Sequence, residues 1–342
     1  MINVLIVEDS AVVSALLTAI IENEADFHVV GHAKTGLEAI KLSERLDPDL
    51  ITMDIRMPEM DGIEAIRAIM STKPKPIVVI SSNVDDELQI SFKAIDEGAL
   101  AVLEKPCSLN DPQFSSIQSE MVNTIRGMAE VKLVKRRLEK KVAIPYQNKS
   151  VLKYHLVAIG SSTGGPQALK SILTGLPANF PLPIVVTQHI SNGFVEGLSE
   201  WLNDSSDLRV KVAEDEEKLM AGTVYFAPDH YHCQIQHVAG QLSIQLYKDH
   251  EVNNFIPSVS RLFASVAEVC PGRAIGVILS GMGNDGADGL LAMRQAECLT
   301  VAQDEQSSIV FGMPDAAIQL NAVTKVLAAE QISHYLLGAE SA

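Results

Sequence analysis

The stretch LVAIGSSTGGPQAL, Leu156 to Leu169, is an apolar strand that runs through a Gly/Ser turn into a helix. A strand feeding a helix in this way is the unit of a parallel sheet wound with helices. Ser162 stands at the centre of the pattern Gly160-x-Ser162-x-Gly164. Glycines on both sides let the backbone take dihedrals and close approaches that a Cβ forbids, so the hydroxyl can face a substrate with main-chain N–H groups beside it. Such turns also cradle phosphate, and the pattern alone does not separate the two uses. A P-loop needs Lys-Ser/Thr after its last glycine, whereas Pro166-Gln167 follows here. A dinucleotide fold wants an acidic residue at the end of the next strand. That strand, Pro183 to Gln188 (PIVVTQ), ends at His189, a candidate base.

A third strand, Ala274 to Leu279 (AIGVIL), feeds the loop Ser280 to Gly286 (SGMGNDG) and then a helix beginning near Ala287. In an open parallel sheet all strand ends share the edge where ligands bind, so Ser162, His189 and Asp285 can converge despite their separation. The base then takes the serine proton, while the carboxylate orients the imidazole and stabilises its cation.

The N-terminal half alternates strand and helix in the same manner, with strands at 2–7, 27–31, 49–53, 76–80 and 99–103. Glu8 and Asp9 follow the first strand, Asp54 ends the third, Ser81 follows the fourth, and Lys105-Pro106 follows the fifth, all on one edge. Three clustered carboxylates raise one another's proton affinity unless a cation bridges them, so a hard, oxygen-seeking ion such as Mg²⁺ suits the site. The alternative is an acidic capping cluster at helix N-termini, which Asp9-Ser10 can be by itself. Lys105 favours the metal reading, because a lysine opposite carboxylates and a metal suits an incoming phosphoryl group.

At 342 residues the chain has room for two domains, each with its own core. No apolar run approaches a membrane span, and carboxylates arrive too early for a secretory signal, so a cytoplasmic location without membrane insertion is expected. A net charge of −16 argues against nucleic acid or an anionic membrane as the main partner. Cys107, Cys233, Cys270 and Cys298 show neither disulfide nor zinc-ligand spacing and read as reduced thiols. His230, His232 and His237 lie in and beside YHCQIQH, half of a hairpin with Gln241 to Tyr247, and read as structural. From Arg126 to Lys149 eight basic residues face two acids, and apolar residues from Ile117 to Leu138 recur at helical spacing. This segment is either a solvated linker helix or a basic strut that docks on acidic surfaces.

With VEDS, MDIRMPEMDG and EKP, residues 1–120 closely resemble a response-regulator receiver domain. The resemblance implies a flavodoxin-like fold, Asp54 as phospho-acceptor, Glu8 and Asp9 with Asp54 as Mg²⁺ ligands, Ser81 as switch hydroxyl and Lys105 as phosphate-binding lysine. Glu8 replaces the commoner aspartate and keeps an oxygen ligand one methylene longer. Residues 151–342, with GSSTGG, VTQHI, SGMGNDGADG and VFGMP, are similar to the catalytic domain of CheB-type protein-glutamate methylesterases of bacterial chemotaxis, with 121–150 as linker. That likeness implies a second, Rossmann-like doubly wound domain with Ser162, His189 and Asp285 as triad. Backbone N–H groups at Met282 and Thr163 become oxyanion-hole candidates. It further implies methyl-accepting chemotaxis receptors as substrate, a chemotaxis histidine kinase as phosphodonor, glutaminase activity on receptor glutamines, and restraint of the esterase by the receiver. The esterase reaction itself needs no cofactor.

One motif departs from the family. Ile256-Pro257-Ser258-Val259-Ser260 stands where an Arg-Pro-Ser-Val-Asp-like run is usual. The missing charged pair is expected at the cleft rim, steering a partner, so a CheB-like esterase acting on a non-chemotaxis partner is an alternative reading; a packing role for Ile256 is the other reading of the departure. A small-ester α/β-hydrolase is one rival, but its order of Ser, acid, His requires the late His334, which reads as a partly buried structural residue. A binding module without catalysis is the other.

Overall fold

The structure, a computed structural model, describes residues 1–82, 85–106, 114–131, 153–249 and 255–339. It consists of two compact units, Met1–Arg137 and Leu138–Ala342.

The first unit runs β1 (Ile2–Val7), α1 (Ala11–Glu22), β2 (Phe27–Ala33), α2 (Gly36–Leu46), β3 (Leu50–Met53), α3 (Gly62–Thr72), β4 (Ile77–Ser81), α4 (Asp85–Asp96), β5 (Ala101–Glu104) and α5 (Phe114–Ala129). Its sheet is parallel throughout in the order β2-β1-β3-β4-β5. β1, β3 and β4 are apolar on both faces because helices cover both, and Val4 to Val7, Leu50, Ile51 and Ile77 to Ile80 are buried. Ser10, Thr35 and Asp61 cap α1, α2 and α3 by accepting from the N–H three residues on, each worth about 1 kcal/mol. Met121, Val122, Ile125 and Met128 of α5 are buried in this core, so the helix belongs to the first unit well past residue 120. Arg126 stays on it too, bound to Asp26 and Glu24 and lying over the Phe27 ring. The other seven basic positions of the linker segment, from Lys132 to Lys149, lie outside the described residues, as does Cys107.

The second unit runs β6 (Leu156–Ser161), α6 (Gly165–Leu173), β7 (Ile184–Gln188), α7 (Val195–Ser205), β8 (Arg209–Val212), β9 (Thr223–Phe226), β10 (His232–Val238), β11 (Gln241–Tyr247), α8 (Val259–Val269), β12 (Ala274–Ile278), α9 (Ala287–Gln295), β13 (Leu299–Gln303), α10 (Met313–Gln319), β14 (Lys325–Leu327) and α11 (Ala329–Ala339). Seven of these strands form a parallel sheet in the order β14-β13-β12-β6-β7-β9-β8. Strand order reverses at β6: the chain first grows the sheet on the β7 side and then returns to add β12, β13 and β14 on the other. A crevice opens at such a point beyond the carboxyl ends of the strands.

β10 and β11 make the antiparallel hairpin that the alternation in YHCQIQH predicts. His232 there is fully buried and accepts from the Ser258 N–H at 3.3 Å, a structural role. His334, read from its apolar context as partly buried, is exposed on α11 because the apolar side of that helix is carried by Ile332, Leu336 and Leu337. Cys233, Cys270 and Cys298 are buried free thiols, and burial pushes those of Cys233 and Cys270 up to about 12 and about 11.

Candidate active site

Beyond β6 the chain turns at once through Ser162, Thr163 and Gly164 into α6. Gly164 stands at φ 79°, a left-handed conformation that a side chain resists. The turn is held from three directions. Ser162 N–H donates to the Ser280 carbonyl (3.0 Å), and its own carbonyl accepts from Gly165 N–H (2.8 Å) and from Gln188 Nε2 (2.8 Å). Gly281 passes so near that a Cβ there would lie 2.8 Å from Ser162 Cβ. The N–H groups of Thr163 and Met282 donate to no acceptor among the described residues, so both remain available to an oxyanion.

His189 follows β7, and its N–H donates to the Ser161 carbonyl at 2.9 Å. Gln188 joins the two turns: its Nε2 reaches the carbonyls of both Ser162 and His189, and its Oε1 accepts from the Ser161 hydroxyl at 2.6 Å. The imidazole Nε2 lies 3.0 Å from Asp285 Oδ2. Its face stacks on the Phe255 ring, centroids 3.9 Å apart and planes within 5°.

Asp285 is completely buried at the N-terminus of α8. It accepts from Val259 N–H (2.7 Å), Ser260 N–H (3.2 Å) and the Ser258 hydroxyl (3.0 Å). Burial alone would raise its pKa, but the hydrogen bond and charge of His189, with the donors from Val259 and Ser260, outweigh it and hold the carboxyl at about 2. An ionised carboxylate at Nε2 fixes the proton there and leaves Nδ1 as the basic nitrogen. Nδ1 is buried and has no hydrogen-bond partner. No hydrogen bond joins it to the Ser162 hydroxyl, and catalytic hydrogen bonds of this kind often tighten only in the substrate complex.

The edge of the first sheet collects the other predicted residues. Carboxylate oxygens of Glu8, Asp9 and Asp54 lie within 4.8 Å of one another, with Glu8 and Asp54 buried and Asp9 exposed. Lys105 Nζ stands 2.8 Å from Asp54 Oδ2 and 3.1 Å from Glu8 Oε2, the latter an ion contact outside hydrogen-bond geometry. Burial and the Asp54 charge raise the Glu8 pKa against the pull of Lys105. Burial works against the Lys105 charge as well, but its hydrogen bond to Asp54 and the negative charges of Asp54 and Glu8 keep its pKa raised. A buried carboxylate oxygen without a hydrogen bond, beside two further carboxylates, fits a hard divalent cation. The hydrogen bonds of the Ser81 hydroxyl go to residues other than Asp54: it accepts from Ser91 Oγ at 2.7 Å and donates to the Ser82 carbonyl at 3.3 Å.

A model of the CheB methylesterase family matches residues 157–336, and one of the response regulator receiver domain matches residues 4–113. The chain belongs to the CheB methylesterase family. A relative from Methanospirillum hungatei, a protein-glutamate methylesterase/protein-glutamine glutaminase, is 43% identical over 98% of this chain and 97% of its own length. One of the same name from Thermotoga maritima is 37% identical over 98% of each chain. The crystal structure of the Thermotoga maritima CheB methylesterase catalytic domain matches with a TM-score of 0.53 at 39% identity, covering 54% of this chain and 98% of that one.

Of the two positions that depart from the CheB pattern, Ile256 is half-buried and Ser260 does not stand at an exposed rim. Ser260 is buried, accepts from Gly286 N–H at 2.8 Å and donates to Asp288, and so belongs to the scaffold around Asp285. Gln188, Phe255 and Ser258 also hold the site without having been singled out in the sequence. The available signals were a polar residue closing a buried strand beside the candidate base, and a lone aromatic ahead of Pro-Ser-Val-Ser. The His189–Asp285 pairing has the chain order Ser, His, Asp and leaves no part for His334.

Proposed function

We propose that the chain is a phosphorylation-regulated serine hydrolase that removes methyl esters from glutamate side chains of chemotaxis receptors and deamidates receptor glutamines. The observation that carries this reading is the His189–Asp285 pair on the edge that holds Ser162, with the second imidazole nitrogen buried and unpartnered. Ser162 Oγ attacks the ester carbonyl carbon and its proton passes to His189 Nδ1. The N–H groups of Thr163 and Met282 receive the oxyanion, and donors of this kind are worth roughly 3 kcal/mol each in the barrier. His189 returns the proton to the leaving oxygen, methanol departs, and the acyl-serine remains. Water activated by His189 then adds to the acyl carbon and releases glutamate, and Ser162 recovers its proton. With glutamine the first product is ammonia.

In the receiver, Asp54 is the acceptor of a phosphoryl group from a chemotaxis histidine kinase, and Lys105 is placed to pair with its oxygens. Glu8, Asp9 and Asp54 would hold Mg²⁺, which when bound offsets negative charge at the site. The division proposed is receiver, basic linker and esterase, acting in the cytoplasm.

The test is methanol release from methylated receptor membranes, with and without a small phosphodonor and Mg²⁺. Ser162→Ala and His189→Ala are expected to reduce turnover by several orders of magnitude with the fold intact, and Asp285→Asn by less. The losses should not add, because the three groups act as one unit. Near-wild-type turnover in either of the first two variants removes the assignment.

A further inference from the structure

The imidazole of His189 is constrained at two places and open at one. Its Nε2 edge is tied to Asp285 at 3.0 Å. One of its faces is covered by the Phe255 ring in a near-parallel stack, 3.9 Å between centroids and 5° between planes. The Nδ1 edge is buried and unpartnered. The hydrogen bond fixes one point of the ring but leaves it free to swing about the Nε2–Asp285 line, which would carry Nδ1 out of the position from which it meets a serine hydroxyl. A flat group against the face removes that freedom. The same short stretch of chain supplies both constraints, because Ser258, Val259 and Ser260 grip Asp285 while Phe255, three residues before Ser258, lies on the imidazole.

We propose that Phe255 is a positioning residue for His189: its ring sets the plane of the imidazole and stabilises the positive charge that the ring carries once it has taken the serine proton. An aromatic face against a cation is attractive, and more so away from water, which suits a histidine side chain only 7% exposed. The interaction strengthens as the imidazole becomes charged, so it acts on the rate of the chemical step more than on binding. This inference rests on the assignment of His189 as the base.

The experiment uses the full chain, with initial rates of methanol release measured against varied amounts of methylated receptor membranes in the presence of Mg²⁺ and a small phosphodonor. Phe255→Leu and Phe255→Met keep an apolar side chain of similar bulk but remove the aromatic face. Each is expected to lower the saturated rate about 10- to 50-fold while the half-saturating receptor concentration changes by less than about twofold. Phe255→Tyr keeps the face and should stay within about threefold of wild type. His189→Ala is run beside them: if it retains activity the base assignment itself fails, whereas wild-type rates in Phe255→Leu or Phe255→Met with an inactive His189→Ala overturn only the role of Phe255. A Tyr variant as slow as the Leu variant also overturns it. Independently of turnover, ¹⁵N-histidine labelling should show His189 ring protons shifted upfield by the stacked ring in the wild type and the Tyr variant. Ordinary His189 shifts in the wild type would refute the stack even if an aliphatic variant failed to fold.

Discussion

The most consequential single residue beside the proposed nucleophile is Asp285, because it is charged, wholly buried and still favours ionisation. Four donors, from His189, Ser258, Val259 and Ser260, turn an expensive group into a fixed one, and the start of α8 adds the positive end of its dipole. The consequence for stability has a definite sign. A carboxyl whose folded-state pKa is about 2, against an ordinary 3.8, stabilises the fold fully above roughly pH 4, and that contribution is lost as pH falls through about 2. At neutral pH it amounts to about 2 kcal/mol. Chemical-denaturant unfolding of the full chain between pH 5 and pH 2 should therefore show an acid-side loss in the second unit that Asp285→Asn largely removes. An unchanged acid slope in that variant would mean that the carboxylate is not held in the ionised form.

At the scale of elements, the turn at 255–260 and the start of α9 form one bonded block. The Ser260 hydroxyl bridges it by accepting from Gly286 N–H and donating to Asp288. The aspartate usual in the CheB pattern can replace the accepting half of that bridge but cannot donate to Asp288, and it places two carboxylates together. Ser260→Asp should cost about 1 kcal/mol, seen as a fall of about 2–4 °C in melting temperature. Adding Asp288→Asn, which restores a donor, should recover most of it. If the double variant melts no higher than Ser260→Asp, the bridge does not hold these elements. This is also where the sequence stopped being legible. Strands, Gly turns and the three strand-end residues were readable because hydrophobic period and turn chemistry are local, and parallel-sheet topology brings strand ends to one edge. The work of Gln188, Phe255 and Ser260 depends on what packs against them from elsewhere, as when Gln188 reaches back 26 positions to the Ser162 carbonyl. A motif position read by family habit as a charged rim residue proved to be a buried linchpin for the same reason: burial is set by tertiary neighbours and not by residue type.

For the whole molecule, joining a phosphorylatable receiver to an esterase matters only if the two share an equilibrium. The expectation from the family is restraint: with Asp54 unmodified, the receiver favours a state in which the esterase is slow, and phosphorylation shifts the population. A modest coupling is enough, since a tenfold change in rate needs only about 1.4 kcal/mol between the two states. The second unit has its own seven-stranded sheet and core, and its counterpart from Thermotoga maritima was crystallised as a catalytic domain, so a fragment from Val151 to Ala342 should fold alone. Methanol release by that fragment is expected to exceed that of the unphosphorylated full chain and to ignore both phosphodonor and Mg²⁺. The full chain should approach the fragment when both are supplied, whereas Asp54→Asn should stay at the restrained level under all conditions. A stable fragment that is no faster than the full chain would mean that the receiver does not restrain the esterase. In that case, activation by phosphodonor that survives only in the full chain would point to delivery to the receptor, because a docking function lowers the receptor concentration needed for half-maximal rate without changing the saturated rate.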